Sequence, residues 1–171
     1  MYSAIYKLTF PAGVHFGKRD VSNTEQTFCA DTLFSALILE ALHSGEECCQ
    51  HFYESVKNGQ ILFTDGLPFI GDNLYVPKPF LHVQREKSEM ASKRKKVLKK
   101  LNYIPIQEMD SFLTNTMDVE QEAERLGTLG IREEKVCAFI DGEETKPYRI
   151  GVFRFREDCG LYLYVRHTSR E

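Results

Sequence analysis

The stretch "CADTLFSALILEAL" (residues 29–42) has the apolar period of a helix and follows a segment with the period of a strand. Its apolar pairs recur every three to four residues, at Leu33/Phe34, Leu37/Ile38 and Ala41/Leu42, and this spacing predicts a core-facing stripe. Asp31 is predicted to cap the helix, because a carboxylate there accepts from free backbone amides of the first turn. Upstream, residues 2–10 alternate apolar and polar side chains, which is typical of a strand.

The rest of the chain adds one helix and several short strands. A second apolar helix is predicted at residues 46–57, and Asp-Gly and Gly-Asp turns divide residues 60–80 into hairpins. A short strand follows at 103–106, and three more are predicted at 135–140, 148–155 and 160–165. This order predicts an α+β domain of the ferredoxin-like or RRM-like kind, with an antiparallel sheet and helices on one face.

Charge is concentrated in two neighbouring blocks rather than spread over the molecule. The 171 residues carry a formal net charge of −3, which argues against a basic coat that binds nucleic acid indiscriminately. Residues 85–100 nevertheless hold eight cations against two carboxylates, and residues 107–134 hold eight acids against two arginines. The basic block predicts salt-sensitive phosphate binding, although a solvated run or a nuclear-localisation signal would have the same composition.

Several function classes lack support in the sequence. No apolar run is long enough to span a membrane, and the first residues do not have the pattern of a signal peptide, so we expect a cytoplasmic protein. The five cysteines form no CxxC pair, which favours reduced thiols, and the His and Cys residues at 43–51 are only a weak metal pattern. We therefore predict no catalytic residue, metal, cofactor or small-molecule substrate.

The loop "GVHFGKR" (residues 13–19) and the helix start that follows contain the first candidate RNA contacts. His15, Lys18 and Arg19 suit phosphate or base contacts, and the neighbouring glycines permit a close backbone approach. The hydroxyls of Thr32 and Ser35 suit sugar or phosphate contacts without charge conflict. A polar loop with an internally bonded histidine, and a solvent-facing serine, are the structural alternatives.

Five stretches resemble, in order and spacing, the RAMP family that provides subunit four of type III-A CRISPR (Csm) complexes. They are "IYKLTFPAGVHFGKRD", "FCADTLFSALILEAL", "LPFIGDNLYVPKPFL", "KKLNYIPI" and "KPYRIGVFRFREDCGLYLYV". The resemblance implies two RRM-like halves and a non-catalytic role in holding the 5′ repeat-derived tag of the guide RNA. It also implies two protein partners, the large polymerase-like Csm subunit and a backbone RAMP subunit.

Carried over by position, the resemblance places Lys78 of "PKP" on the tag-binding side. It implies an N-terminal RAMP domain with insertions at about 84–134, of which the part after Ile106 corresponds to a thumb-like element, and the start of a truncated second half at about 135–171. The predicted RNA-binding residues are His15, Lys18, Arg19, Thr32, Ser35, Lys78, Lys93, Arg94, Lys95, Lys96, Lys99 and Lys100. The alternatives are a guide-RNA-processing endoribonuclease with His15 as general acid or base, and an inactive fragment.

Overall fold

The computed structural model of the chain describes residues 1–18, 20–80, 89–141 and 144–168. The helices are α1 Ala30–His43, α2 Glu46–Lys57, α3 Glu89–Lys100, α4 Met109–Leu113 and α5 Val119–Gly127, with a 3-10 turn at Ile106–Glu108. The strands are β1 Tyr2–Leu8, β2 Gly17–Lys18, β3 Asp20–Thr24, β4 Ile61–Phe63, β5 Leu67–Ile70, β6 Asn73–Pro77, β7 Tyr103–Pro105, β8 Gly130–Asp141, β9 Glu144–Phe155 and β10 Cys159–His167. The predicted α+β class is confirmed.

An antiparallel sheet in the order β1-β10-β5-β6-β7 forms the centre of the fold. β10 pairs with β1 from Leu161 to His167, while β5 and β4 pair in succession with its other edge. Close packing at Gly160 fixes this arrangement, since a Cβ there would lie 2.2 Å from the carbonyl oxygen of Leu8. β10 therefore shares a sheet with the first strand, and the start of a second half at about residue 135 stays a prediction.

Two apolar clusters lie on opposite faces of β10, because successive strand residues point to opposite sides. One contains Leu161 and Cys159 with Leu129, Phe153 and Phe155 from the β8–β9 region. The other contains Tyr162 with Leu67 and Phe69 of β5, and Lys7 of β1 places its ammonium 4.7 Å from the Phe69 ring centroid. The first strand, the last strand and the hairpins between them are thus held in one unit.

The helix α1 is less buried than its apolar pattern predicts. It packs against α2, with the Phe34 and Phe52 rings stacked at 6.0 Å, yet none of its residues is fully buried. Leu37, Leu39 and Leu42 are exposed. Among the described residues, β1 pairs only with β10, so its other edge is open. The described part of the fold therefore has two surfaces open to a partner, the exposed apolar side of α1 and the outer edge of β1.

A third core lies under α3 and is built by the helical segment that follows it. Leu101, Ile104 and Phe112 are buried together with Met117 and Val119. Val97 and Leu98 of α3 pack against this cluster from one side, and Ala123 and Leu126 of α5 pack against it as well. The basic block therefore forms a folded amphipathic helix over residues 89–100, with an apolar side held by the acidic segment.

The strands β8 and β9 form a hairpin twelve residues long on each side. Its base packs against β3, where a Cβ on Gly151 would lie 2.3 Å from the carbonyl oxygen of Ser22. Its outer part is exposed, including Val136, Phe139 and Ile140. The three strands predicted at the end of the chain are present, and the first begins five residues earlier than predicted, at Gly130.

Candidate nucleic-acid interface

A hydrogen bond between His15 and the β8–β9 hairpin fixes the loop after β1. Nδ1 of His15 lies 2.7 Å from the carbonyl oxygen of Gly151, and because a carbonyl only accepts, Nδ1–H is the donor. The residue is otherwise exposed. Arg19 and the side chain of Lys18 lie outside the described residues. His15 thus has a structural bond, as the alternative interpretation of this loop expects.

The start of α1 is capped from a distant loop, and the prediction that Asp31 caps it is wrong. Cys29 occupies the N-cap position and forms no side-chain cap bond. The Ala30 N–H instead donates to Oδ1 of Asp65 at 2.7 Å, so the carboxylate that satisfies this amide comes from the loop before β5. Asp31 lies within the first turn, where its charge complements the helix dipole.

The predicted hydroxyl contacts lie on the exposed side of the same helix. Thr32 and Ser35 are both exposed. Oγ of Ser35 donates to the carbonyl oxygen of Asp31 at 2.8 Å, a common bond of a serine back to its own helix. Among the described residues, no hydrogen bond or ion pair joins these hydroxyls to His15 or to α3, so their share in one RNA site stays a prediction.

The described cations of the basic helix α3 are of two kinds. Arg94 is hydrogen-bonded to the neighbouring loop, and the lysines are exposed. Nη2 of Arg94 donates to the carbonyl oxygens of Asn115 and Met117 at 3.0 and 3.1 Å, and thereby fixes α3 to the loop after α4. The exposed lysines are Lys93, Lys95, Lys96, Lys99 and Lys100, and none of them forms an ion pair within the described part of the chain. Five ammonium groups on one helix are available to an anionic ligand.

Lys78 supports the position of α3. Its ammonium donates to the carbonyl oxygen of Leu98, and its backbone N–H donates to the carbonyl oxygen of Asn102 at 2.9 Å. Burial lowers the pKa of Lys78, because desolvation disfavours the charged form. Lys78 is therefore partly occupied in holding α3 near the end of β6, and its contact with a tag stays a prediction.

A groove of about 390 Å³ opens between the second half of α3 and α5. Its floor is apolar, formed by Val97, Leu101, Ala123 and Leu126, and its polar rim contains Gln26, Lys96, Lys100, Asn102 and Tyr103. The Tyr103 hydroxyl lies 3.2 Å from Oγ1 of Thr27, which joins the segment before α1 to this rim. Sequence reasoning missed Gln26, Asn102 and Tyr103, because these isolated residues form no local pattern.

A buried polar cluster connects the sheet to α5. Tyr75 of β6 is fully buried, and its hydroxyl has no hydrogen-bond partner in the described structure. Burial, followed by the nearby Glu122 carboxylate, raises the pKa of Tyr75 to about 12. Glu122 is 4% exposed and accepts from Nη1 of Arg125 at 2.9 Å, while its other oxygen is unpaired. Burial raises the pKa of Glu122, and Arg125 opposes part of this effect.

Comparisons with known proteins find curated relatives that match nearly the whole chain. No protein-family model matches it. A curated Mycobacterium tuberculosis protein, "CRISPR system Cms protein Csm4", is 34% identical over 173 residues, covering 100% of this chain and 55% of that protein. The Streptococcus thermophilus protein of the same name is 26% identical, covering 96% of this chain and 54% of that protein. The chain thus spans about half the length of the curated relatives it matches.

Solved structures show the same fold. A chain of the crystal structure of the Csm1-Csm4 cassette in complex with cA4 matches 97% of this chain with a TM-score of 0.64 at 21% identity. A chain of the Csm3-Csm4 subcomplex of the type III-A CRISPR-Cas interference complex matches all of this chain with a TM-score of 0.59 at 16% identity. These matches cover 59% of each solved chain.

The fold is therefore one that occurs in a chain of the Csm1-Csm4 cassette and in a chain of the type III-A Csm3-Csm4 subcomplex. Over nearly its whole length, the chain is similar to curated proteins named Csm4, and it covers about half of their length, 55% of the Mycobacterium tuberculosis protein and 54% of the Streptococcus thermophilus protein. Among the described residues, no helix is long and apolar enough to cross a membrane.

Proposed function

We propose that the chain is a non-catalytic RNA-binding subunit of a type III-A CRISPR complex and holds the 5′ repeat-derived tag of the guide RNA. The observation that carries the proposal is the set of exposed, unpaired lysines on α3 in a chain of net charge −3. Such a local basic surface attracts phosphates while the rest of the molecule repels them. The similarity of the whole chain to curated CRISPR system proteins named Csm4 supports the choice of guide RNA as the ligand.

The sheet supports an assignment to the ferredoxin-like or RRM-like class, whose unit has the order βαββαβ. β1, the helix pair α1–α2, the β4–β5 edge and β10 reproduce the first four elements, with the third strand placed between the first and second. In a complete unit the fourth strand pairs with the first. Among the described residues, the edge of β1 at which such a fourth strand would pair is open.

We further propose that the chain docks the large polymerase-like Csm subunit and a backbone RAMP subunit. The solved structures that support this proposal are a Csm1-Csm4 cassette and a Csm3-Csm4 subcomplex. In this chain, the exposed apolar side chains of α1 and the open edge of β1 are surfaces that a protein partner would cover. Leu37, Leu39 and Leu42 on α1 and Ile5 on β1 are the first positions to substitute in a docking test.

Filter binding with two RNAs of equal length tests the RNA proposal. One RNA carries the repeat-derived tag at its 5′ end, and the other has the same nucleotides in scrambled order. At ~0.15 M salt, where diffuse phosphate contacts are weakened, we expect the tagged RNA to bind more tightly. Equal affinities for the two RNAs would show that the chain does not read the tag.

No observation favours the alternative in which His15 catalyses cleavage of a guide precursor. Metal-free cleavage needs two positioned proton-transfer groups. Within the described structure, the only hydrogen bond of the His15 ring is to the backbone carbonyl of Gly151, and no carboxylate or second histidine is bonded to it. A nuclease would require a partner group from elsewhere.

A further inference from the structure

The groove between α3 and α5 differs from the rest of the basic surface in its shape and in the residues that form it. Its volume of about 390 Å³ lies within the range of about 300–1,000 Å³ that is usual for ligand pockets. An apolar floor with a few polar groups on the rim is also the usual composition of such pockets.

Only two of the five exposed lysines line this groove. Lys96 and Lys100 are four residues apart, so they lie one above the other on the same side of α3. Lys95 and Lys99 have the same spacing on the same helix and are also exposed, but they do not line the groove. Helix α5 contributes Ala123, Leu126 and Gly127 to the lining, while its exposed acids Glu120 and Glu124 are not part of it.

We propose that this groove receives one unpaired nucleotide of the bound RNA, with its base on the apolar floor and its phosphates at Lys96 and Lys100. The inference rests on the proposed RNA-binding function and assigns that function to one site. Gln26 and Asn102 supply amide donors and acceptors for the base edges, and the Tyr103 ring adds an aromatic surface at the rim. Single-stranded RNA offers such a base because it is unstacked.

Two double variants of equal charge test the site. Lys96→Gln/Lys100→Gln changes the groove, and Lys95→Gln/Lys99→Gln removes the same two charges beside it. Lys and Gln have similar helix propensities, so both variants keep α3, which circular dichroism and thermal unfolding check. We measure the Kd for a fluorescent single-stranded RNA with the 5′ tag by anisotropy. The groove variant is expected to lose about tenfold or more in affinity, and the control about threefold or less.

A second arm reports on the base. A series of tagged RNAs, each with one abasic position, is titrated against the wild-type chain and against the groove variant. We expect one position at which loss of the base weakens wild-type binding by about five- to a hundredfold, and a smaller effect of that position in the groove variant. An equal, small effect at every position overturns the nucleotide site.

The outcomes separate the site from the function. Selective loss in the groove variant with one sensitive base position supports the site. Equal loss in both double variants overturns the site and leaves α3 as a diffuse phosphate surface, consistent with the proposed function. No loss in either variant overturns both the site and the assignment of RNA binding to α3.

Discussion

The cap of α1 provides a quantitative test of how this fold is held together. Asp65 lies 35 residues from Ala30 in the chain, and its Oδ1 accepts the Ala30 N–H at 2.7 Å. The neighbouring Gly66 N–H donates to the Phe28 carbonyl oxygen at 3.0 Å, so this loop and the helix start are bonded twice. Asp65→Ala removes the first bond and leaves a free amide at the helix start. Loss of a capping side chain costs about 0.5–2 kcal/mol of the free energy of unfolding.

Urea unfolding followed by circular dichroism at 222 nm measures this cost. The matched variant is Asp31→Ala, which removes a carboxylate from the same helix end without removing a described cap bond. We expect it to change the free energy of unfolding by about 0.3–1 kcal/mol at most, through the helix dipole alone. Asp65→Asn keeps an acceptor and is expected to recover most of the loss. A larger cost for Asp31→Ala than for Asp65→Ala would refute this account of the helix start.

Two further predictions concern the core. Burial raises the pKa of Glu122 above its ordinary value of 4.5, so the folded chain binds that proton more tightly, and the contribution of this proton to stability is lost as pH rises from 4.5 through the raised folded pKa. Glu122→Gln should remove this dependence, and urea midpoints that keep the wild-type pH profile would contradict it. Gly160→Ala should cost about 1–3 kcal/mol, because its Cβ would lie 2.2 Å from the Leu8 carbonyl oxygen. Gly127→Ala meets nothing within 4 Å and should not destabilise, and equal effects of the two in thermal unfolding would show that packing at Gly160 is not limiting.

Local patterns predicted β1, the first two helices and the strands after residue 60, because the causes of these elements lie within a few residues, but they did not predict β2, β3 or the helices α3 to α5. The alternation in residues 2–10 and the period of residues 29–42 placed β1 and α1, and turn residues placed the hairpins of 60–80. Patterns did not reveal how elements pair. The Ala30 N–H bonds to Asp65, and β1 pairs with β10, about 160 residues away. Neither contact can be predicted from the spacing of nearby residues.

The candidate site was predicted only in part, because local sequence shows composition but not which distant residues come together. Composition alone identified the lysines of residues 93–100, since charge is visible in a sequence. Composition could not separate Arg94, which is tied to the loop at 115–117, from the exposed lysines around it. It also could not show that Lys96 and Lys100 share a groove with Gln26, because three separate segments of the chain form that groove.

The measurement that tests the central claim most directly is the sequencing of RNA bound to the chain after co-expression with a CRISPR array and with the Csm1- and Csm3-type subunits. The protein chain is purified under native conditions through an affinity tag, and the 5′ ends of the bound RNA are mapped. The account predicts that both subunits co-purify and that the bound RNAs begin with the repeat-derived tag, with lower RNA yield from the Lys96→Gln/Lys100→Gln chain. Purification of the folded chain without these subunits, or with RNA of random 5′ ends, would contradict it.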